Sequence, residues 1–452
     1  MRLRKTITTI VATAILLAGW QLFAVIANQP ELIPSLPRLV RTLCEWLVSG
    51  SFYQSVGATI FRGILGMSIS FVCAIGMAGL FARFEWVYEL FRPLLAIMRS
   101  IPVISFILLA LIFLNPESIP LMIAFLTMFP LLTENLTRGI LDLRPGLSIM
   151  ARQFHIKRSN VLFQIIYPQL KPFLYSGLAS AAGFGWRAII MGEVLSQCAF
   201  GIGSEMKRAQ NFIAVPELLA WTIVAVFISF FFDKGISKVA DITPKISFAN
   251  EDQTIPTPTL SVLDTKDISY QYGIQHFSHS FQKGIIYGIS APSGKGKTTL
   301  LNLIGGILLP TEGEIHPTRH FGIATIFQQP QLLPHLTAEE NIILPLSSFP
   351  TEEKARRIAQ KHLQEMEMEP FGNRYPKELS YGQQQRIAIA RALAYPSPLL
   401  LMDEPFKGLD EALSHRIIER IREKQMKEER IILFTSHNPD EIRLLADEVI
   451  YL

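Results

Sequence analysis

Charge is scarce in the first half of this 452-residue chain. Asp, Glu, Lys and Arg make up 18% of the whole, against roughly 25% in soluble proteins, and the deficit falls before about residue 232. That argues against a wholly soluble protein. Cysteine is nearly lacking as well. The three present, Cys44, Cys73 and Cys198, are far apart, so no disulfide framework or metal spacing can be built from them; buried apolar filler is the expected role. Neither sign of charge dominates, and a net charge of +4 is too small to argue for nucleic acid as a partner. The length itself suggests two or three domains.

Apolar runs stand where the charge is missing. Spans are expected at about residues 6–27, 63–81, 101–114, 119–136, 173–195 and 216–232, a crossing helix needing about 20 apolar residues. The third is short and ends at Asn115-Pro116, so the third and fourth form either a tight hairpin or a re-entrant pair. A large buried helical core is the alternative, but such runs rarely repeat in soluble domains. Positive charge sets the orientation. Arg2, Arg4 and Lys5 precede the first span, Arg83, Arg92 and Arg99 follow the second, and Arg138, Arg144, Arg152, Lys157, Arg158 and Lys171 crowd the segment after the fourth. The opposite loops carry only Arg38, Arg41 and Arg62, then Lys207 and Arg208. Both termini are therefore expected in the cytoplasm. The first span has the basic start and apolar centre of a signal peptide, but no clear A-x-A site follows, which favours an uncleaved anchor.

After Phe232 the composition shifts. "ADITPKISFANEDQTIPTPT" is rich in Pro, Thr and polar residues without periodicity and reads as a linker. From about residue 260, short β-rich runs alternate with amphipathic helices, the pattern of an α/β domain. Strands are expected in "GIIYGIS", "GIATIF", "PLLLMDE" and "RIILFTS", and helices over residues 297–305, 352–366, 383–394 and 411–427. The fold class is thus multi-domain: an all-α polytopic membrane domain of about six spans over residues 1–239, a linker over 240–258, and an α/β P-loop domain over 259–452.

The first strand runs into "APSGKGKTTLL", residues 291–301. Strand, glycine-rich turn, Lys-Thr and apolar helix is the order a phosphate-binding loop requires. Glycines let main-chain N–H groups curl around phosphate oxygens, and the helix N-terminus adds its positive dipole end. Ser293, Gly294, Gly296, Lys297, Thr298 and Thr299 are the candidate nucleotide contacts. Lys297 would reach the β- and γ-phosphates, and the Thr298 hydroxyl would ligate Mg²⁺. Ala291 stands where the pattern has its first glycine; a left-handed backbone there would cost about 1–2 kcal/mol. A Gly/Lys-rich surface loop is the alternative, and the flanking strand and helix argue against it.

"LLLMDEP" places Asp403 and Glu404 at the C-terminal end of an apolar strand, where ligands bind in open α/β folds. Asp403 can hold Mg²⁺, directly or through water, and Glu404 can take a proton from an attacking water. An acidic pair after a strand is otherwise a helix cap or a solvated loop; the phosphate loop tips the balance.

With these motifs in order, the chain resembles the ATP-binding cassette (ABC) transporters over nearly all of its length. "LSYGQQQRIAIARAL", residues 379–393, resembles the family signature, lying between the phosphate loop and the acidic strand. The resemblance picks out Gln328 in "FQQPQLLPHLTAEENI" as the Q-loop residue and a further Mg²⁺ ligand. Gly408 to Asp410 resembles the D-loop, His437 in "FTSHNPDE" the switch histidine, and Tyr272 in "ISYQYG" the aromatic that stacks on adenine. It implies ATP as the nucleotide, bound between two copies. Ser380, Gly382, Gln383 and the helix that follows would then cap a γ-phosphate held by the other chain. Tyr381 replaces the usual middle glycine, so its ring must point away from the phosphate or pack beside the nucleotide.

The membrane half also resembles a known group. "SIMARQFHIKRSNVLFQIIYP", residues 148–168, resembles the cytoplasmic coupling loop of binding-protein-dependent importers, here about residues 142–170. Ile166 and Pro168 match its end, Met150-Ala151 match its start loosely, and His155 replaces its glycine. Taken alone, the stretch reads as an interfacial helix. "MRSIPVISF" and "GFGWRAIIMGEVLS" resemble permeases of the nitrate, sulfonate and taurine import group, in which permease and ATPase usually occupy separate chains. The resemblance implies an importer half in the bacterial inner membrane, working as a homodimer with a periplasmic or lipoprotein substrate-binding protein on a small solute. An ABC exporter is one rival, against which the short cytoplasmic loops argue. A membrane-anchored ATPase for signalling or envelope remodelling is another; it would need a larger outer domain than residues 28–62 allow. Within the fifth span, Arg187 and Glu193 are the candidate substrate-path residues, because a charge at helix centre costs about 2.5–3.5 kcal/mol on insertion scales. Arg187 either faces an anionic solute or pairs with Glu134 or Glu193 to hold helices together.

Overall fold

The computed structural model describes residues 2–240, 244–248, 260–271, 273–292, 294–317, 322–348 and 351–452. Among the described residues, eleven α-helices precede the first strand: α1 (Arg2–Ala27), α2 (Leu36–Trp46), α3 (Gly50–Arg83), α4 (Glu85–Ser100), α5 (Val103–Phe113), α6 (Ile119–Leu141), α7 (Pro145–Gln153), α8 (Arg158–Asn160), α9 (Tyr167–Ser196), α10 (Ile202–Asn211) and α11 (Val215–Ala240). The chain divides into two compact units. One comprises Met1–Leu143 and Gln169–Ile242; the other comprises Arg144–Pro168 and Thr243–Leu452.

Small residues pack the helical unit. The buried face of α3 carries Ser55, Thr59, Gly63, Gly66, Ser70, Ala74 and Ala78, spaced by three or four so that they form one stripe. A Cβ on Gly66 would fall 2.7 Å from that of Ala124 on α6. Helices meet this closely where side chains at the seam are small. The outer faces are apolar: only 17% of the α11 window is buried, the inverse of a helix exposed to water. Among the described residues, four helices are long and apolar enough to cross a membrane: Gly50–Arg83, Pro116–Leu141, Arg158–Ser196 and Val215–Ile236.

The structure sharpens three expectations for this unit and overturns the placing of Arg62 in a loop. The second apolar helix begins at Gly50, not at residue 63, so Arg62 lies within a helix and not in a loop. Its charge ended the apolar run on paper, but an ion pair neutralises it in the fold. The third span is the 11-residue α5, joined to α4 across a 94° bend; Pro102 at the α5 N-cap breaks the helix there. The segment 28–49 is not bare loop, for it contains α2.

The second unit is built on a five-stranded parallel sheet of order β5-β6-β7-β3-β8. Its strands are β3 (Ile286–Ser290), β5 (Ala324–Ile326), β6 (Leu399–Asp403), β7 (Ile431–Thr435) and β8 (Glu448–Tyr451). A separate antiparallel sheet of order β2-β1-β4 joins β1 (Val262–Tyr270), β2 (Ile274–Gln282) and β4 (Glu312–His316). β6 and β7 are buried at every position, which is why they read as unbroken apolar runs. Helices α12 (Lys297–Ile304), α13 (Ala338–Leu346), α14 (Glu352–Glu365), α15 (Tyr381–Ala394), α16 (Glu411–Glu428) and α17 (Pro439–Leu445) complete the unit. The expected linker falls largely outside the described residues, apart from 240 and 244–248.

Candidate functional site

The loop between β3 and α12 holds its shape through two glycines. Gly294 and Gly296 have φ of +81° and +91°, where only glycine sits without strain. A Cβ on Gly296 would also fall 2.6 Å from the Gly273 carbonyl oxygen. Ala291 is not among the residues with positive φ, so its methyl carries no left-handed penalty. Buried Lys297 donates from Nζ to the carbonyls of Ala291, at 2.7 Å, and Pro292, at 3.4 Å. Its ammonium therefore lies across the loop, on neutral acceptors that a phosphate could replace. Ser293 and Tyr272 lie outside the described residues.

Parallel pairing of β6 with β7 sets Asp403 opposite Thr435. The Asp403 carboxylate accepts hydrogen bonds from Thr435 Oγ1 at 2.9 Å and from Thr298 Oγ1 at 2.9 and 3.2 Å. Burial pushes this carboxyl above its ordinary pKa; the two hydroxyls pull the other way without overcoming it. Thr298 and Asp403 thus offer hard oxygens at one point beside the phosphate loop, the donor set that Mg²⁺ takes.

Glu404, one residue on, points elsewhere. Its φ of +49° is left-handed, a conformation that costs a non-glycine residue about 1–2 kcal/mol. This kink turns its side chain into a chamber of about 500 Å³ lined by Gln328, Phe406, Lys407, Ser436, His437 and Glu441, among others. His437 Nε2 lies 3.0 Å from one Glu404 oxygen and Lys407 Nζ 3.3 Å from the other. Burial pushes the Glu404 carboxyl up, but hydrogen bonds from Lys407 and Gln328 and the charges of Lys407 and His437 bring it below its ordinary value. Gln328, Glu404 and His437 are therefore gathered in one place. Lys407 was missed, although its position three residues after Glu404 was available as a signal. Glu441, bonded to Ser436, was also missed and had no such signal; burial raises its pKa.

The polar head of α15 is a capping box. Ser380 Oγ accepts from the Gln383 amide at 3.3 Å, and Gln383 Oε1 accepts from the Ser380 amide at 2.9 Å, satisfying N–H groups that a helix start leaves open. Gly382 is forced by crowding, since a Cβ there would lie 2.7 Å from the Gly408 carbonyl oxygen. The ring of Tyr381 packs over Gly408, and its hydroxyl donates to the Gln328 carbonyl at 2.7 Å. Asp410 caps α16 by accepting from the Leu413 amide at 2.9 Å. At the far end of α15, fully buried Arg391 donates to the Gln331 and Pro330 carbonyls at 2.8 and 2.9 Å, with its guanidinium 5.5 Å from the Phe154 ring centroid. Burial lowers its pKa to about 10.

In the helical unit the two substrate-path candidates are not together in one role. Glu193 is wholly buried and accepts from Thr59 Oγ1 at 2.9 Å, Arg62 Nη1 at 2.7 Å and the Gly203 amide at 3.0 Å. Arg62 reaches Glu117 as well. Glu134 pairs with Arg99 and Arg138. Of the two alternatives for Arg187, pairing with Glu134 or Glu193 is not what the structure shows: other arginines occupy both carboxylates. Arg187 is exposed and lines a cavity of about 370 Å³ with Trp186, Thr222, Ser229, Phe230 and Asp233.

Fold and site together define a P-loop nucleotide-binding domain joined to an apolar helical unit. Comparison with known proteins makes this specific. Residues 274–407 match the family described as ABC transporter, and residues 66–233 match that described as the inner membrane component of binding-protein-dependent transport systems. An uncharacterized ABC transporter ATP-binding protein of Methanocaldococcus jannaschii is 35% identical over 201 residues, which are 40% of this chain and 85% of that protein. The Fe(3+) ions import ATP-binding protein of Rhizobium etli is 35% identical over 40% of this chain and 54% of its own length. The spermidine/putrescine import ATP-binding protein of Nitrosomonas europaea is 32% identical over 42% of this chain and 56% of its own. The chain belongs to the ABC transporter family, with permease and ATP-binding domains on one polypeptide. It spans about half the length of those iron and polyamine import proteins.

Proposed function

We propose that the chain is one half of an ATP-driven importer of the bacterial inner membrane. Two copies pair, a periplasmic or lipoprotein binding protein delivers the solute, and ATP hydrolysis in the cytoplasm drives alternating access. The observation that carries this reading is the chamber in which Glu404, Gln328 and His437 meet, in the same unit as the Lys297 loop. ATP phosphates take Lys297 from its carbonyl partners, and the loop amides with the α12 N-terminus hold them. Thr298 and Asp403, with Gln328, are the residues that would hold Mg²⁺, which when bound offsets phosphate charge. Glu404, kept ionised by its neighbours, accepts the proton of the attacking water, and His437 steadies it. Ser380, Gly382 and Gln383 cap the γ-phosphate held by the partner chain, and Asp410 holds the D-loop beside it. Closure of the paired cassettes then moves the coupling segments.

Import is favoured over export because the permease half matches an importer component. The Rhizobium etli and Nitrosomonas europaea relatives are named for import of different solutes, Fe(3+) and spermidine/putrescine, so similarity of the cassette does not point to one. The helical unit offers a place to select one: Arg187 lines a cavity with Trp186, Phe230, Thr222, Ser229, aliphatic side chains and Asp233, and no ion pair to it is found among the described residues. A small anion such as nitrate, a sulfonate or taurine fits that charge. Purified full-length protein in lipid nanodiscs should hydrolyse Mg-ATP, and Lys297→Ala should weaken ATP binding at least tenfold, a charged hydrogen bond being worth about 1.5–3 kcal/mol. Unchanged affinity would contradict the site. Arg187→Ala should abolish uptake of labelled nitrate, taurine or an alkanesulfonate while basal ATPase activity persists; unimpaired uptake removes the anion from the account.

A further inference from the structure

The segment connecting the two halves behaves unlike a tether where the structure describes it. Residues 244–248 are bonded into the coupling segment by two buried carboxamides. Asn160, 1% exposed, donates from Nδ2 to the Ser247 carbonyl at 2.8 Å and accepts the Ser247 amide on Oδ1 at 2.8 Å. This two-point match imitates one rung of a β-ladder. The same Nδ2 also reaches Ser347 Oγ at 2.8 Å, just past the end of α13, so Asn160 joins three stretches of chain. Gln164, wholly buried, donates to the Pro244 carbonyl at 3.0 Å. It is turned inward by a π-helical turn, Val161–Ile166, a local distortion of a kind often found at functional positions. Between these anchors, Ile246 packs on the apolar core that Leu147, Phe154 and Ile165 share with Ile343 and Leu393, and Phe248 packs there too.

A flexible linker needs none of this. Proline- and threonine-rich sequence would satisfy its main chain with water, whereas here its carbonyls and an amide are bonded to side chains that have left water for the purpose. A buried carboxamide stripped of such partners is costly, so the site on Asn160, bonded at both ends, is built for this segment, and Gln164 adds its amide end alone. We propose that residues 244–248 are a strap that clamps the coupling segment to the cassette of the same chain. Asn160 and Gln164 are its positioning residues. The fused linker is then a working part of the joint that transmits cassette motion, and each cassette drives the permease half to which it is covalently joined. This holds whichever solute is carried, and its test uses neither uptake nor hydrolysis.

Cysteines introduced as N160C and S247C, in a chain with Cys44, Cys73 and Cys198 replaced by serine, should be bridged by oxidation or by a short bis-maleimide within one chain. The product should run at the 50.9 kDa monomer mass, with both thiols protected from mass-tagging. A band at twice that mass would mean that the strap comes from the partner chain. Two freely tagged thiols would mean that strap and coupling segment do not meet. Either result overturns the proposal. A second measurement asks what the strap holds. With a protease site inserted between residues 250 and 258 of the full chain, the cut cassette should stay on the tagged permease fragment. S247P, which deletes the bonded N–H, and N160A should each speed its release at least tenfold with ATP binding intact. Equal release rates would show that the strap clamps nothing.

Discussion

Glu193 in the helical unit and Glu404 in the cassette are both carboxylates held mainly out of water, and their surroundings differ in kind. Glu193 is 0% exposed and its oxygens are filled by a guanidinium, a hydroxyl and a main-chain amide. All its donors belong to rigid helices or their caps. Glu404 is 15% exposed, stands on a strained left-handed residue, and meets only side-chain tips, those of Lys407, His437 and Gln328, across an open chamber. A carboxylate whose lone pairs are saturated fastens helices together. One whose partners can swing aside is available to a proton. The contrast separates structure from chemistry more sharply than burial does, since both groups are sheltered.

The largest test of that contrast is Glu404→Gln. It keeps the shape and removes the proton acceptor, so turnover should fall by about 10²–10⁴-fold while ATP affinity is unchanged; near-normal ATPase activity would erase the distinction. Glu193→Ala should instead cost about 1–3 kcal/mol of stability, because Thr59 and the Gly203 amide lose a buried acceptor while Arg62 keeps Glu117 and the Phe200 carbonyl. Detergent-induced unfolding of the helical unit measures it, with ATP binding as the internal control; a loss of ATP binding with no loss of stability would reverse the two roles. Tyr381→Phe removes one hydroxyl bond to the Gln328 carbonyl, worth about 1 kcal/mol. It should lower kcat a few-fold at constant ATP affinity, and a changed affinity with unchanged kcat would place the ring at the nucleotide instead. Lys407→Met gives the smallest effect. The Glu404 carboxyl lies below its ordinary pKa partly through Lys407, so activity is retained as pH falls until that lowered value is passed. Without the lysine the pKa rises, and the acid limb of the kcat profile should move to higher pH. A limb that stays put would assign the titration to another group.

The two units also differ in how much of them could be read before folding. In the cassette, β3, β6 and β7 lie within the apolar runs read as strands, and α12, α14, α15 and α16 end within two residues of their expected bounds. Strands buried on both faces leave an unmistakable composition, and the phosphate loop must be followed by a helix. β1 escaped because its inward residues are interrupted by Asp264, Lys266 and Asp267 and its pairing shifts register between Lys266 and Ser269. α13 escaped because Pro345 interrupts its pattern, although Thr337 and Glu340 spell out its capping box. In the helical unit, sequence periodicity cannot say which charges find each other. Arg62 was read as a loop residue because its partner, Glu193, is 131 positions away. The Asn160–Ser247 clasp was hidden for the same reason: hydrogen bonds between distant loops leave no local pattern.

The proposed role of the capped head of α15, completing a site on a second chain, can be tested with two defective chains. Lys297→Ala spoils the phosphate loop and Ser380→Arg spoils the cap. Each homodimer should be inactive. Mixed dimers hold one site carrying both lesions and one carrying neither, so ATPase activity should return when the two chains are co-expressed and the heterodimer is purified through two tags. Heterodimers as silent as either parent would mean either that each site is contained in one chain or that hydrolysis needs two intact sites, and trapping of labelled ATP in the one intact site would contradict the first.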